Sequence, residues 1–532
     1  MTLALTHAHA TPSTVHYDIC IIGAGAGGSA LALALAPTGK SILVLNRLGS
    51  LPREAENWDA EKLFVEGRYK SDERWVDARD GSDFQPAMFY WLGGNTKVYG
   101  SALLRLRPED FGPLQTLDGV SPAWPIGYAD LAPYYDRAEA LYHVHGRRGA
   151  DPFEPPAGPF PHPAVAHDPR IAEVADGLRA QGIDAFELPM GVKYSEQRPG
   201  DGPFVLRETF AALGRAAFDG YPDLLHLKCD AEVATVEPLA AYDNVTLLTD
   251  TVADTLETTP DGRAVRAAVC TVGGETVRFT ADVFSVSCGA VQSAALLLRS
   301  ATEAHPNGLA NGSDQLGRNL MRHVTSKFYS VSSRTPNPTR FQKTLAVNDF
   351  YFGVPGDTAW DGVPLGHVHL MGKHAGWQIG ADLVPGRFTP AELDIIAAHS
   401  VDWWVQGEDL PLAESRVTLA ADGRIQVAYT ETNRAAQEEL MNRLEAGLRA
   451  IGFDAFYRVP MPLGVMNHQC GTARMGTDAG ASVLTPHCRA HEVDNLFVVD
   501  ASCFPSSGAT NPTLTIAANA LRVGDYIASE VL

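Results

Sequence analysis

The chain has 532 residues, more than a single hydrophobic core usually serves, so two or three domains are expected. Apolar residues make up 45% of the chain and charged residues 20%, as in folded globular proteins, which excludes a mainly disordered chain. The 42 basic and 63 acidic residues give a net charge of −21. We expect no nucleic-acid partner, because such a protein would repel a phosphate backbone.

The seven cysteines form an odd number and include no C-x-x-C pair, which argues against a disulfide framework and against a zinc site. No basic segment with an apolar core stands at the start of the chain, and no apolar run reaches the roughly eighteen residues of a membrane span. We therefore expect a cytoplasmic protein without a membrane span. A homo-oligomer is compatible with the sequence, which identifies no interface.

The first predicted unit is a β-α-β pattern. An apolar run over residues 17–22 predicts a buried strand, a glycine-rich turn follows, an Ala- and Leu-rich helix spans 29–36, and a second strand spans 41–45. In such a unit the glycines make a tight bend, let a pyrophosphate approach the backbone at the helix N-terminus, and let helix and strand pack closely. The residues predicted for this role are Gly23, Gly25, Ala26 and Gly28.

The end of the second strand carries Asn46 and Arg47, where dinucleotide-binding folds usually place an acid for the ribose. An amide can still bond a ribose hydroxyl, but it lacks the charge that repels a 2′-phosphate. The turn alone therefore leaves both FAD and NAD(P) open as ligands.

The middle of the chain alternates between irregular segments and strand patterns. Residues 51–85 and 146–168 predict a surface excursion and a lid loop. Alternating apolar residues predict strands over 225–236 and 265–283, the second of which leads to a buried strand, a turn at Gly289 and a helix.

The rest of the chain begins with aromatic, β-branched and turn residues over 325–406, which predict an antiparallel sheet. An amphipathic helix follows over 435–451, and the chain closes with a core strand over 496–500 and a last helix. Asn511 is a suitable N-cap for that helix, and Pro512 suits its first position. Nucleotide-fold patterns thus occur at the beginning, in the middle and at the end of the chain, which indicates discontinuous domains.

Several further motifs accompany the N-terminal turn. They are WLGGNTKVYG at 91–100, the Trp-Pro-Ile to Tyr-Tyr-Asp-Arg-Ala stretch at 124–138, LGRNLM at 316–321, HQCGTARMG at 468–476, VVDAS at 498–502 and NPTLT at 511–515. Together they resemble the glucose–methanol–choline (GMC) family of FAD oxidoreductases along the whole chain. Their details are closest to the sugar-oxidising members, namely pyranose oxidases, bacterial glycoside 3-oxidases and gluconate- or fructose-type dehydrogenases.

The fold class that we expect is α/β. A discontinuous Rossmann-like FAD-binding domain would comprise residues 15–110, 221–323 and 460–532. A substrate-binding domain with lid loops, built on a mainly antiparallel β-sheet, would comprise 111–220 and 324–459.

The resemblance also implies how FAD is held. Gly93, Gly94 and Asn95 would follow the flavin and the pyrophosphate, the backbone of Val233 would pair with adenine, and Gly100 would lie near flavin N5. The other residues expected at the cofactor are Gly289, Asp500, Ala501, Pro512 and Thr513, the last at the positive end of a helix dipole facing the flavin. Val98 stands where members with covalent flavin carry histidine, so we expect non-covalent FAD.

Catalysis requires a base for the hydroxyl proton and a group that fixes the oxygen. A lone histidine is more often structural than catalytic, but the resemblance implies that His468 is the base and Asn511 its partner. No metal-ligand spacing accompanies His367, His369 or His374, so we expect no metal.

The expected substrate is a pyranose sugar or glycoside, whose secondary hydroxyl at C2 or C3 would become a ketone. Such a ring has apolar faces and a hydroxylated rim, so an aromatic wall with polar neighbours would suit it. Strand alternation puts Trp404, Gln406 and Glu408 on one face, and Asp349 and Tyr351 complete the candidate pocket. Packing of the sheet is an equal alternative for the tryptophans.

Several alternatives stay open at this point. The electrons would pass to O2 or to a quinone-like acceptor. The substrate could instead be a non-sugar alcohol such as a polyol or a sterol. The same family also contains hydroxynitrile lyases, in which the flavin takes no part in a redox reaction. A nicotinamide dehydrogenase or a non-catalytic binding protein could carry the same N-terminal turn.

Overall fold

The computed structural model of the chain describes residues 15–193 and 218–532. In chain order its strands are β1 (His16–Ile22), β2 (Ile42–Leu45), β3 (Trp75–Asp77), β4 (Asp83–Phe84), β5 (Leu114–Gln115), β6 (Val120–Ser121), β7 (Val144–Gly146), β8 (His162–Pro163), β9 (Phe186–Glu187), β10 (Met190–Gly191), β11 (Val245–Leu248), β12 (Thr251–Thr258), β13 (Val265–Val272), β14 (Glu275–Val286), β15 (Val324–Val331), β16 (Leu345–Val347), β17 (His367–Leu370), β18 (Ser400–Gly407), β19 (Arg416–Leu419), β20 (Ile425–Ala428), β21 (Ala455–Pro460) and β22 (Leu496–Val498).

The α-helices of the described chain are α1 (Ala26–Leu35), α2 (Tyr128–Leu141), α3 (Pro169–Arg179), α4 (Ala290–Arg299), α5 (Gly376–Asp382), α6 (Pro390–His399), α7 (Arg434–Ala450) and α8 (Thr513–Glu530). None of these described helices is both long enough and apolar enough to cross a membrane.

The first sheet joins strands from three distant parts of the chain. Strands β11, β2, β1, β14 and β22 pair in parallel in that order, and β12 and β13 extend the long β14 as an antiparallel meander. β2 is buried along its whole length and β1 at its carboxyl end, as expected for parallel strands covered on both faces. Residues of α1, α4 and α8 share the hydrophobic core with them.

The second sheet is antiparallel throughout, in the order β21-β15-β18-β17-β16-β9. One of its faces packs against α7, whose buried residues Leu440, Leu444 and Leu448 recur every four positions and meet Trp403 in one core cluster. The two sheets together confirm the predicted α/β fold class, with a Rossmann-like sheet and a mainly antiparallel one. The residue limits of the two domains stay a prediction.

The register of the second sheet brings three polar or aromatic residues into one row. Lys327 of β15 pairs with Trp404 of β18, which in turn pairs with His369 of β17. Because side chains of directly paired residues lie on the same face of a sheet, this row faces away from the Trp403 core.

Two of the local predictions need correction. The strand expected over 225–236 is wrong, since Glu232–Val236 is a helical turn. The carboxylate of Asp230 accepts the N–H groups of Glu232 and Val233. The Thr235 hydroxyl donates to the Ala231 carbonyl. These side-chain hydrogen bonds to the backbone stabilise a helical turn in place of a strand. The excursion at 51–85 is also more structured than expected, because it supplies β3 and β4 to a small sheet with β19 and β20.

Candidate active site

A cavity of about 520 Å³ is lined by residues of both large sheets. Its walls include the N-terminal glycine turn, the second glycine turn, the start of α8 and the row of β15, β17 and β18 described above. The volume lies within the roughly 300–1,000 Å³ usual for small-molecule and cofactor pockets.

The N-terminal turn has the shape that a pyrophosphate needs. A Cβ added at Gly25 would meet no atom within 4 Å, so the space above this residue is open. At Gly27 it would overlap the Val499 carbonyl, and at Gly28 the Gly23 carbonyl, so these glycines let α1 approach the sheet. The first N–H groups of α1 have no partner within the helix, and Gly25, Ala26 and Gly27 line the cavity, which suits an anion.

Asn46 and Arg47 both line the cavity, but the amide of Asn46 is already engaged. Its oxygen accepts the Ala24 N–H at 3.0 Å, and its nitrogen donates to the carbonyls of Leu48 at 2.7 Å and Tyr90 at 3.1 Å. Asn46 therefore supports the glycine turn rather than offering its amide N–H groups to a ribose. Arg47 stacks over the Tyr90 ring at 4.0 Å.

Strand β12 contributes to the cavity near Asn46, whose carbonyl accepts the Thr251 N–H at 3.1 Å. Thr251, Val252 and Ala253 line the cavity, whereas Val233, the expected adenine contact, lies outside the lining residues in the Glu232–Val236 turn. The sequence does contain a signal for this strand, because the β-branched residues Thr251 and Val252 follow β11 closely.

The second glycine turn also lines the cavity. Gly93 and Gly94 adopt φ of +85° and +59°, which favour glycine, and a short helical turn follows over Gly94–Val98. The predicted cofactor residues that line the cavity are Gly23, Gly25, Ala26, Asn46, Arg47, Gly93, Gly94, Asn95, Val98, Gly100, Gly289, Asp500, Ala501, Pro512 and Thr513. Gly28 does not line it and serves the helix packing instead.

The carboxylate of Asp500 ties this wall together. It accepts the N–H of Gly289 at 2.9 Å and of Ser502 at 2.8 Å, and the Ser293 hydroxyl donates to it at 2.6 Å. The turn before α4 and the turn after β22 are thereby held side by side.

The start of α8 differs from the prediction that Asn511 caps it. The helix begins at Thr513, Pro512 takes the capping position, and no side chain caps the helix. The Oδ1 atom of Asn511 is buried without a hydrogen-bond partner among the described residues, and Asn511 lines the cavity. A buried polar atom left unpaired is costly unless a ligand completes it, so this oxygen is available to a bound molecule.

His468 lines the same cavity as Asn511. Its Nδ1 atom lies 3.0 Å from Nδ1 of His323. Burial, reinforced by the neighbouring His323 ring and by the charge of Lys343, holds the pKa of His468 well below its usual range. The imidazole is therefore neutral at physiological pH and able to accept a proton.

The loop that carries His468 is fixed on both sides by the segment 321–323. Met321 and Cys470 exchange backbone hydrogen bonds of 3.0 and 2.9 Å, and the Arg322 guanidinium donates to the carbonyls of Pro462 at 2.9 Å and Val465 at 3.1 Å.

The row on the second sheet forms the wall beside His468. Trp404, His369 and Lys327 all line the cavity, and the Trp404 indole donates to Gln406 Oε1 at 2.9 Å. Lys343 lines it as well, paired with Asp219 at 2.5 Å. Sequence reasoning did not identify Lys343 or His323, although His323 follows the LGRNLM motif by two residues.

Four of the five predicted substrate residues lie outside the cavity lining. Tyr351 bonds to Asp110, Glu408 accepts from Ser121, and Asp349 accepts the Asp184 N–H. Gln406 lies behind Trp404 and donates to the Ala509 carbonyl at 2.6 Å. Trp404 is the member of the set that lines the cavity.

A metal site would need several His, Cys, Asp or Glu side chains close together. Among residues 15–193 and 218–532, no group of three or more His, Cys, Asp or Glu side chains is placed to hold a metal ion.

Comparison with known proteins gives a family. Residues 215–325 and 411–520 match the GMC oxidoreductase family models. The chain is also 30% identical over 538 residues to 6'''-hydroxyparomomycin C oxidase of Streptomyces lividus, covering 97% of this chain and 92% of that protein. The chain belongs to the GMC oxidoreductase family.

Other relatives agree with this assignment. This GMC oxidoreductase is 29% identical over 550 residues to paromamine 6'-oxidase of Streptomyces fradiae, covering 97% of this chain and 92% of the relative. Its fold is similar to that of pyridoxine 4-oxidase from Mesorbium loti, with a TM-score of 0.65, 20% identity, and 96% and 99% of the two chains covered. GMC oxidoreductases are FAD-binding oxidases and dehydrogenases, and the open glycine turn fits that cofactor.

Proposed function

We propose that the chain oxidises a secondary hydroxyl, at C2 or C3, of a pyranose sugar or glycoside to a ketone, with FAD bound non-covalently in the cavity. The observation that carries this proposal is that His468 and the side-chain amide of Asn511 line one cavity together with the glycine turns. A base and an oxygen-fixing group are thereby available beside the cofactor residues.

The residues Gly25, Ala26 and Gly94 would hold the pyrophosphate, and the start of α8 would face the isoalloxazine. FAD supplies the hydride acceptor that no amino-acid side chain provides. The chain's own part is proton chemistry. The neutral imidazole of His468 would take the hydroxyl proton, and the side-chain NH2 group of Asn511 would donate a hydrogen bond to the same hydroxyl oxygen.

A sugar suits the wall beside these residues. The face of Trp404 offers an apolar surface to a pyranose ring. Lys343 and Lys327 supply hydrogen-bond donors for the hydroxylated rim, and Nε2 of His369, whose Nδ1–H donates to the Leu370 carbonyl, supplies an acceptor. The motif resemblance to pyranose oxidases points to C2 or C3 as the reacting position.

A second candidate has a specific observation in its favour. Two of the relatives that align over 97% of this chain are oxidases named for a 6' or a 6'''-hydroxy position, which on a hexose ring is the exocyclic carbon. The alternative is therefore oxidation of a primary hydroxyl of an amino-sugar conjugate, and the net charge of −21 would favour such a cationic substrate.

One experiment separates these candidates. The FAD-loaded enzyme is mixed anaerobically with methyl glucoside, its 2-, 3- and 6-deoxy analogues, an aminoglycoside, a polyol and a sterol, and the loss of flavin absorbance is followed. The proposal predicts reduction by a glycoside that is abolished by removal of the 2- or 3-hydroxyl alone. Dependence on the 6-hydroxyl supports the second candidate, and a substrate that is turned over without any loss of absorbance would indicate a lyase.

The electron acceptor is tested in the same preparation. Reoxidation of the reduced enzyme by O2 and by a quinone is compared, and we propose that one of these two serves as the physiological acceptor.

The seven free cysteines fit a reducing compartment such as the cytoplasm.

A further inference from the structure

A second histidine stands directly behind His468. His323 is 1% exposed, and its ring meets that of His468 at 83° with centroids 5.1 Å apart. Its Nδ1 atom lies 3.0 Å from Nδ1 of His468, and its Nε2 atom lies 3.2 Å from the Ser507 carbonyl oxygen. The two rings thus form a chain that ends on a backbone acceptor.

The ends of this chain determine where the hydrogens are. A carbonyl oxygen only accepts, so Nε2 of His323 carries the hydrogen. Burial lowers the pKa of His323 to about 4, and His468 is neutral for the same reason, so each ring carries a single N–H. Nδ1 of His323 is then a bare acceptor, Nδ1 of His468 donates to it, and Nε2 of His468 is left with a free lone pair.

We propose that His323 is a positioning residue that fixes His468 in the Nδ1–H tautomer, so that Nε2 of His468 is the atom that accepts the substrate hydroxyl proton. This inference rests on the proposed function, in which His468 is the base. In the transfer the substrate O–H bond breaks and an Nε2–H bond forms, while the C–H electron pair leaves with the hydride to FAD. The resulting imidazolium keeps its Nδ1–H bond to His323, which a charged donor strengthens.

The backbone holds His323 in an unusual conformation for this contact. Its φ of +64° lies in the left-handed region, which residues other than glycine seldom adopt. The two preceding residues, Met321 and Arg322, form hydrogen bonds to the loop that carries His468, at Cys470, Pro462 and Val465. The segment 321–323 therefore fixes the distance between the two imidazole rings. A side chain that merely filled space would not need an acceptor nitrogen at this point.

Other ionisable groups surround the pair. Lys343 and Asp219 act on His468 through their charges, and the buried His369 interacts with it across the cavity. Within the described residues, Nδ1 of His468 forms its hydrogen bond with His323. The tautomer therefore depends on His323 rather than on these neighbours.

The test is nitrogen NMR of the FAD-loaded enzyme grown with 15N-labelled histidine, with the His468 signals assigned from a His468→Gln spectrum. We expect a protonated Nδ1 and a bare Nε2 for His468 in the wild type. In His323→Phe the protonated-Nε2 form should appear and the rate of anaerobic flavin reduction should fall about 10–100-fold. His323→Gln, whose amide oxygen can accept the same hydrogen bond, should recover much of that rate.

His487→Phe is the matched control, because His487 stacks on Tyr526 and does not line the cavity. It should leave the His468 signals and the rate unchanged. A wild-type spectrum with the hydrogen on Nε2, or an unchanged His468 tautomer and rate in His323→Phe, would overturn the inference. If His323→Phe does not fold, the wild-type spectrum decides alone. Full turnover by His468→Ala would instead refute the proposed function, while the tautomer would still be measured.

Discussion

The indole ring of Trp404 and the imidazole ring of His468 stand edge to face, with their centroids 6.4 Å apart and their planes at 71°. Both residues line the cavity, so we expect a molecule whose hydroxyl reaches His468 to contact Trp404 as well. In the proposed function, the aromatic wall and the candidate base would therefore act on the same substrate.

Replacement of Trp404 should weaken substrate binding more than it slows the chemistry. Trp404→Ala removes the apolar surface under the sugar ring but leaves His468 and Asn511 in place, so KM should rise about tenfold or more, equivalent to about 1.4 kcal/mol. Steady-state kinetics with the substrate found in the glycoside screen measure this. Trp377→Ala is the control, since Trp377 is 40% exposed on α5. An unchanged KM in Trp404→Ala would remove this residue from the substrate site.

Glu408 predicts a specific pH dependence of stability. Burial raises the pKa of its carboxyl to about 8, although the Ser121 hydroxyl acts in the opposite direction. A folded-state pKa above the unfolded value means that stability is fully present below the unfolded pKa of about 4.5 and is lost as pH rises through about 8. Each pKa unit corresponds to about 1.4 kcal/mol.

The comparison of wild type with Glu408→Gln isolates this contribution, because all other titrating groups are shared. The unfolding free energy of the wild type should fall relative to the variant between pH 5 and pH 9, measured by denaturant titration at each pH. Parallel pH profiles for the two proteins would show that the Glu408 pKa is not raised.

Gly471 in the His468 loop should not tolerate a side chain. Its φ is +91°, and an added Cβ would overlap the Asn319 carbonyl. Gly471→Ala should destabilise the protein by about 1–3 kcal/mol or more, since strain and steric overlap add. Gly158→Ala is the matched control, because a Cβ added at Gly158 would meet no atom within 4 Å. Equal thermal midpoints for the two variants would contradict this account of the loop.

Val98 leads to a prediction about the cofactor bond. Val98 lines the cavity at the end of the second glycine turn and carries no atom that could attach to a flavin. Precipitation of the yellow holoenzyme with acid should therefore leave all the flavin in the supernatant, where its absorbance is measured. Flavin that stays with the precipitated protein would refute non-covalent binding.

The sequence predicts the parts of the site that depend on local patterns. The turn between β1 and α1 stands in a short motif whose chemistry can be read from the sequence pattern alone. The roles of the glycines at 93 and 94 and of His468 and Asn511 were expected from the family resemblance of their motifs. Their meeting in one cavity was an expectation from the family resemblance, since nothing local relates residue 25 to residue 511.

Of the wall beside His468, the sequence predicted Trp404 but not the residues that surround it. Trp404 meets Lys327 and His369 through the register of an antiparallel sheet, and no single strand specifies its partners. Gln406 shares the face of Trp404, as strand alternation requires, but its side-chain oxygen accepts a hydrogen bond from the Trp404 indole and Gln406 does not line the cavity. His323 was missed because its role depends on a contact across 145 residues of sequence.

The most direct test of the central claim is the rate of anaerobic flavin reduction by the best glycoside in wild type and in His468→Ala, followed by stopped-flow absorbance. If His468 accepts the hydroxyl proton, its loss should slow reduction by about 10²–10⁴-fold, while the substrate concentration for half-maximal rate changes little. A His468→Ala enzyme that reduces its flavin at the wild-type rate would contradict the claim.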